Sequence, residues 1–245
     1  MKKLLILVPI FLMALSQSQI NILKETYKIA SKYQAFDGHK FNDTMCAIIL
    51  TESSAGKYIV GDGYFINGKE KHFLLKSLGI GQIKLETAIL MIKKYPSIFK
   101  KYYHLIHNEP FAYKIYTKYL QNISYFQNIV YRYKNKKGKR AKKVLRWAKR
   151  ELRYYKHKMK KYKKYYYKDL ELAQLLLSDM AFNVKVGTLY LITNYEYAKK
   201  HKMWNPWFKA ISRYNGGWKN TAYYKRVIKN MKIWRGVKYG YIHAR

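Results

Sequence analysis

The chain has 245 residues, 49% of them apolar, enough for one packed domain or one domain with a large insertion. Fifty Lys and Arg against 13 Asp and Glu give a formal charge of +37, which implies a polyanionic partner or surface; a usage bias toward Lys, Tyr, Ile and Asn accounts equally well for much of the Lys and Tyr excess. The single cysteine, Cys46, excludes an intramolecular disulfide and a Cys-rich metal site, and the seven His show no HExxH pattern, so no metal or cofactor is expected.

The first residues, MKKLLILVPIFLMALSQSQ, place Lys2 and Lys3 before an apolar run from Leu4 to Leu15, followed by small and polar residues. This is the grammar of a cleavable secretory signal, and the run is too short to span a bilayer comfortably. Residues 1–19 are read as the signal peptide, with cleavage at or shortly after Ser16. No Cys follows the run, so a lipoprotein anchor is not expected. A periplasmic or secreted protein does not meet cytosolic nucleic acid, so that partner is not expected either.

Residues Ile20, Leu23, Tyr27 and Ala30 predict a helix over 20–33. In FNDTMCAIILTE, Asn42 and Asp43 are N-cap candidates before Met45, Ile48 and Ile49. Cys46 then reads as a buried, inert thiol. Glu52 falls in the last turn of a mostly buried helix, where the negative end of the dipole and burial both disfavour its charged form. Both raise its pKa, as suits a group that must carry a proton near neutral pH.

Next, YIVGDGYFINGKEKHFLL places Asn67-Gly68 between extended stretches and predicts a small β-hairpin. Asp62 beside it reads as a turn residue rather than a second catalytic acid. SLGIGQIKLETAILMIKK runs from a Gly-broken loop into a helix. Between 93 and 168 lie half of the Lys and Arg and more than half of the tyrosines, with only Glu109 and Glu151 as acids. Tyr116, Tyr119, Ile123, Phe126, Val130 and Tyr133 form one stripe, and Leu145, Ala148, Leu152, Tyr155, Met159, Tyr162 and Tyr166 another. With KNKKGKR between them, they predict an antiparallel helical hairpin inserted at 93–168, its second helix outwardly Lys and Arg. From Asp169 onward the pattern is again compact and helical, and no internal repeat is present.

Four stretches now stand in order: Glu52-Ser53, Gly79-Ile80-Gly81-Gln82, Asn183 to Leu191, and Tyr214-Asn215. Together they resemble the catalytic domain of soluble lytic transglycosylases, the lysozyme-like glycoside hydrolase family 23 shared with goose-type lysozymes. TAYYKRVI, from Thr221, resembles that family's last helix. The resemblance covers about 20–93 and 169–233 but not the basic segment. Gly81 stands where the family has Met, Met180 where it often has Pro, and Arg213 where it has a small residue.

The resemblance implies a mainly α fold (α+β, lysozyme-like) over 20–245, interrupted by the basic hairpin. It implies cleavage of the β-1,4 bond between N-acetylmuramic acid and N-acetylglucosamine in peptidoglycan, with a 1,6-anhydro product. Glu52 would serve as acid and then base, with the substrate's N-acetyl group assisting in place of a second carboxylate. Ser53 would fix the helix end or the Glu52 rotamer, and Gln82 would hydrogen-bond the glycan. Tyr190 and Tyr214 would line the cleft, with core packing equally open for Tyr190. Asn215 would bind sugar or hold the loop. Two alternatives stay open: a hydrolytic muramidase, and a non-catalytic cationic wall- or membrane-binding protein. The basic insertion would be a solvated surface, or would attract peptidoglycan carboxylates, an anionic membrane or cell-envelope assembly machinery.

Overall fold

A computed structural model describes residues 15–61, 65–66, 69–70, 73–109 and 112–240. The architecture is mainly α: α1 (Gln17–Ala30), α2 (Asn42–Ser53), α3 (Leu85–Lys94), α4 (Ala112–Tyr133), α5 (Lys139–Ser178), α6 (Met180–Lys200), α7 (Pro206–Tyr214) and α8 (Thr221–Lys238). Two-residue strands β1 (Phe65–Ile66) and β2 (Lys69–Glu70) pair antiparallel, Phe65 with Glu70 and Ile66 with Lys69. The intervening Asn67-Gly68, Asp62 and most of the predicted signal segment lie outside the described residues. The chain divides into two compact units, one of Met1–Lys57 with Leu191–Arg245 and one of Tyr58–Tyr190. The second unit therefore extends beyond the predicted insertion at 93–168 on both sides.

In the first unit, α2 packs against α1 and α8, and α7 packs against α8. Met45, Cys46, Ala47, Ile48 and Ile49 of α2 are fully buried, and Leu23, Tyr223, Val227 and Trp234 are among the residues buried with them. Helix α1 starts in a capping box: Ser16 Oγ accepts from the Gln19 amide and Gln19 Oε1 accepts from the Ser16 amide. It thus begins inside the stretch read as 1–19. The N-cap of α2 is Phe41, with no side-chain cap bond, rather than Asn42 or Asp43. Asp43 is drawn elsewhere, accepting from Trp234 Nε1 at 2.9 Å and from Arg235 and Lys238 at 3.3 Å. Fixing α2 to α8 outweighs capping at this carboxylate. Cys46 donates to the Leu23 carbonyl, and burial pushes its thiol pKa up.

The second unit is built on the α4–α5 hairpin. The two stripes face each other, with Tyr116 stacked on Tyr166 at 4.1 Å and Phe126 on Tyr155 at 5.7 Å between ring centres. Helix α5 runs past Lys168 as one 40-residue element and ends only at Asp179. There the backbone is extended, Asp179 Oδ1 accepts from the Phe182 amide at 2.9 Å, and α6 leaves at 97°. The base of the hairpin holds a polar chain: His107 Nε2 lies 3.0 Å from Asp169 Oδ1, Asp169 Oδ2 accepts from the Tyr113 amide, and the Tyr113 hydroxyl donates to Glu86. Burial raises the Asp169 pKa against the lowering pull of His107. No single helix among the described residues is long and apolar enough to cross a membrane.

Candidate active site

Glu52 occupies the last turn of α2, half-buried, and the chain leaves that turn in an unusual way. Ser54, Ala55 and Gly56 have φ of 50°, 54° and 88°, three successive left-handed residues of which two carry a Cβ. That conformation costs about 1 kcal/mol or more at each non-glycine residue, so surrounding bonds must hold it. Those bonds are present. Gln19 Nε2 donates to the Ser54 carbonyl at 2.8 Å, and the Ala55 amide donates to the Ile49 carbonyl at 3.2 Å. Ser53 is fully buried; its hydroxyl donates to the Ile49 carbonyl and accepts from the Gly56 amide. Ser53 thus fastens the helix end. Thr51 Oγ1 accepts from Asn230 of α8 at 2.9 Å, holding the same turn from the other side.

The α7–α8 loop approaches Glu52. Pro206 at the start of α7 and the Asn205 side chain, which accepts from the Phe208 amide, set that helix; Gly216, at φ +100°, lets the chain reverse after it. Asn220 then caps α8, its Oδ1 accepting from the Tyr223 amide at 3.1 Å while its Nδ2 donates to the Asn215 carbonyl at 3.1 Å. Held this way, the Asn215 side chain donates from Nδ2 to Glu52 Oε1 at 3.2 Å. Arg213, two residues earlier, is exposed with its guanidinium over the Trp218 ring at 5.4 Å.

Burial raises the Glu52 pKa above the usual carboxylate range. Interaction with the Tyr223 hydroxyl, the Asn215 hydrogen bond and the Arg226 charge oppose that rise without cancelling it. The Tyr223 hydroxyl is buried and makes no hydrogen bond of normal geometry among the described residues. Burial, then the Glu52 charge and the side-chain interaction with Glu52, push its own pKa well up, and Tyr214 adds to this. Tyr214 is half-buried at the end of α7, in the field of the same hydroxyl.

Gln82 and Tyr190 belong to the second unit. Gln82 has a left-handed backbone, φ 49°, and donates from Nε2 to the carbonyls of Gly79 at 2.9 Å and Tyr58 at 3.2 Å. Its side chain is half-buried and braces the glycine loop. The loop is locked further by Asn183 of α6, fully buried, which accepts from the Gly81 amide and donates to the carbonyls of Leu78 and Leu176. A Cβ on Gly79 would lie 2.0 Å from the Leu176 carbonyl oxygen and 2.1 Å from Asn183 Nδ2, so only glycine fits. Tyr190 is half-buried on α6.

The structure therefore brings Glu52, Tyr214 and Asn215 together around Tyr223, while Ser53 fastens the helix end that carries Glu52. Sequence reasoning missed Asn220, Tyr223 and Arg226. Asn220 before Thr221 was a legible N-cap signal. No cluster of three or more His, Cys, Asp or Glu among the described residues is placed to hold a metal. Comparison of the chain with protein-family models, with curated proteins and with solved structures gives no match.

Proposed function

We propose that the protein is an exported peptidoglycan lytic transglycosylase, with Glu52 as its general acid and base. The observation that carries this reading is the state of Glu52: a carboxyl at a strained helix end, its pKa raised by burial, with an amide donating to one oxygen. Since Asn215 donates to Oε1, the proton of the neutral acid resides on Oε2. That proton passes to the glycosidic oxygen of N-acetylglucosamine as the bond to the muramic C1 breaks, with the N-acetyl oxygen assisting at C1. The Glu52 carboxylate then takes the proton of the muramic C6 hydroxyl, O6 bonds to C1 as the N-acetyl oxygen leaves it, and the 1,6-anhydro ring closes. Glu52 ends protonated, ready for the next bond. The internal hydroxyl outcompetes water through its high effective molarity.

In this mechanism Asn215 and the Tyr223 hydroxyl stabilise the carboxylate once it forms, since both lower its pKa against burial. One residue serving as acid and base needs that balance near the working pH. Tyr214, in the same unit as Glu52, is the proposed sugar contact, as an aromatic face suits a glycan. Solubilisation of purified peptidoglycan tests the reading: wild type releases soluble fragments and Glu52→Gln releases none. Release by both proteins, or by neither, overturns it.

A further inference from the structure

The α4–α5 hairpin has two outward faces of different character. On α4 the exposed positions are mostly uncharged, among them Gln121, Ser124, Gln127 and Asn128. On α5 the exposed positions between Lys139 and Lys164 are nearly all Lys or Arg, including Lys142, Lys143, Arg146, Arg150, Arg153 and Lys161. At 3.6 residues per turn, these six fall within about 60° of the line opposite the stripe that packs on α4. They form a convex ridge that, at 1.5 Å per residue, runs about 38 Å from Lys139 to Lys164. The one acid on this stretch, Glu151, is paired with Arg150 at 3.3 Å. Trp147 and Tyr154, 41% and 51% exposed and two turns apart, flank the ridge on one side, with the Lys158 ammonium over the Tyr154 ring at 5.6 Å.

We propose that this ridge docks the protein on an anionic lipid surface. Shape and charge select this partner. A convex line of cations touches a plane along its whole length, whereas proteins that hold single-stranded nucleic acid present a groove. Trp and Tyr beside Lys and Arg suit the headgroup boundary, where the rings enter the apolar edge and the cations meet phosphate. A second copy of the chain is excluded as occupant by like charge, since each carries +37. The apolar side of α5 is already covered by α4, so the attachment is electrostatic, reversible and sensitive to salt.

The test is flotation of the full chain with vesicles of phosphatidylcholine alone, or with roughly one-third phosphatidylglycerol, at about 0.15 M salt. The protein is expected on the anionic vesicles only. The triple change Arg146→Gln, Arg150→Gln, Arg153→Gln weakens binding by at least about tenfold, because each removes a cation held at the surface. Lys225→Gln, Lys229→Gln, Lys232→Gln, an equal charge loss on exposed positions of α8, weakens it less than about threefold. A blue shift of Trp emission on binding is lost in Trp147→Phe. Equal weakening by both triples, or binding to both vesicle types alike, overturns the ridge. Tighter binding of single-stranded DNA than of anionic vesicles replaces the lipid with a linear polyanion. This proposal is independent of the catalytic reading, because neither triple touches the Glu52 site.

Discussion

Replacing Asn183 by Ala removes three hydrogen bonds from a fully buried position. The Gly81 amide loses an acceptor at 2.8 Å, and the carbonyls of Leu78 and Leu176 lose donors at 3.0 and 2.9 Å. Leu78 keeps one partner, since its carbonyl also accepts from the Ile83 amide at 2.9 Å. At about 1 kcal/mol for each bond lost, with more for a group left buried and poorly paired, Asn183→Ala costs roughly 3 kcal/mol. Urea unfolding, read as the shift of midpoint at constant slope, measures this. Asn183→Asp sharpens the test. It keeps an acceptor for Gly81 but aims carboxylate oxygens at two carbonyl oxygens. Burial and those oxygens raise its folded pKa, so the neutral acid, which can donate one bond, is favoured. Stability of this variant is therefore retained at acid pH and lost as pH rises through the raised pKa. A loss below about 1 kcal/mol for Asn183→Ala, or no dependence of Asn183→Asp on pH between about 5 and 8, would refute the clamp.

Gly79→Ala is expected to cost at least about 3 kcal/mol, since the new Cβ overlaps the Leu176 carbonyl and the backbone has φ +72°; thermal unfolding reports it. Glu52 has a raised folded pKa, so its contribution is full below the unfolded pKa and is lost as pH rises through the folded one. Glu52→Gln removes that loss: its thermal midpoint exceeds wild type near pH 7, and the gap closes in acid. Tyr223→Phe deletes an interaction that lowers the Glu52 pKa, so the basic limb of the activity profile moves to higher pH. A profile unmoved by Tyr223→Phe would detach that hydroxyl from the proposed catalytic acid.

Much of this was legible in residue spacing. The buried run Met45–Ile49 and the acid that ends it are visible because burial periodicity is local, and the hairpin is visible because heptad stripes are too. The end of the basic segment was not. Composition changes near Lys168, but the helical stripe does not, and Asp169 is buried by pairing with His107 from 62 residues away in sequence. The N-cap of α2 misled for a similar reason: Asp43 serves Trp234 and Lys238, across a separation of about two hundred residues that no local pattern encodes. Asn220 meets Asn215, and Tyr223 meets Glu52, only once the chain has turned from α7 into α8. The left-handed Ser54 and Ala55 carry no sequence mark, because glycine is the usual sign of that conformation and neither is glycine.

In the proposed mechanism Glu52 delivers a proton and then recovers one from the substrate's own hydroxyl. Mass spectrometry of the soluble products from purified peptidoglycan tests it most directly, with wild type and Glu52→Gln side by side. Muramic ends lighter by one water, as a 1,6-anhydro ring requires, are expected from wild type alone. Reducing muramic ends of full mass from wild type would contradict it and make water the nucleophile on the same scaffold.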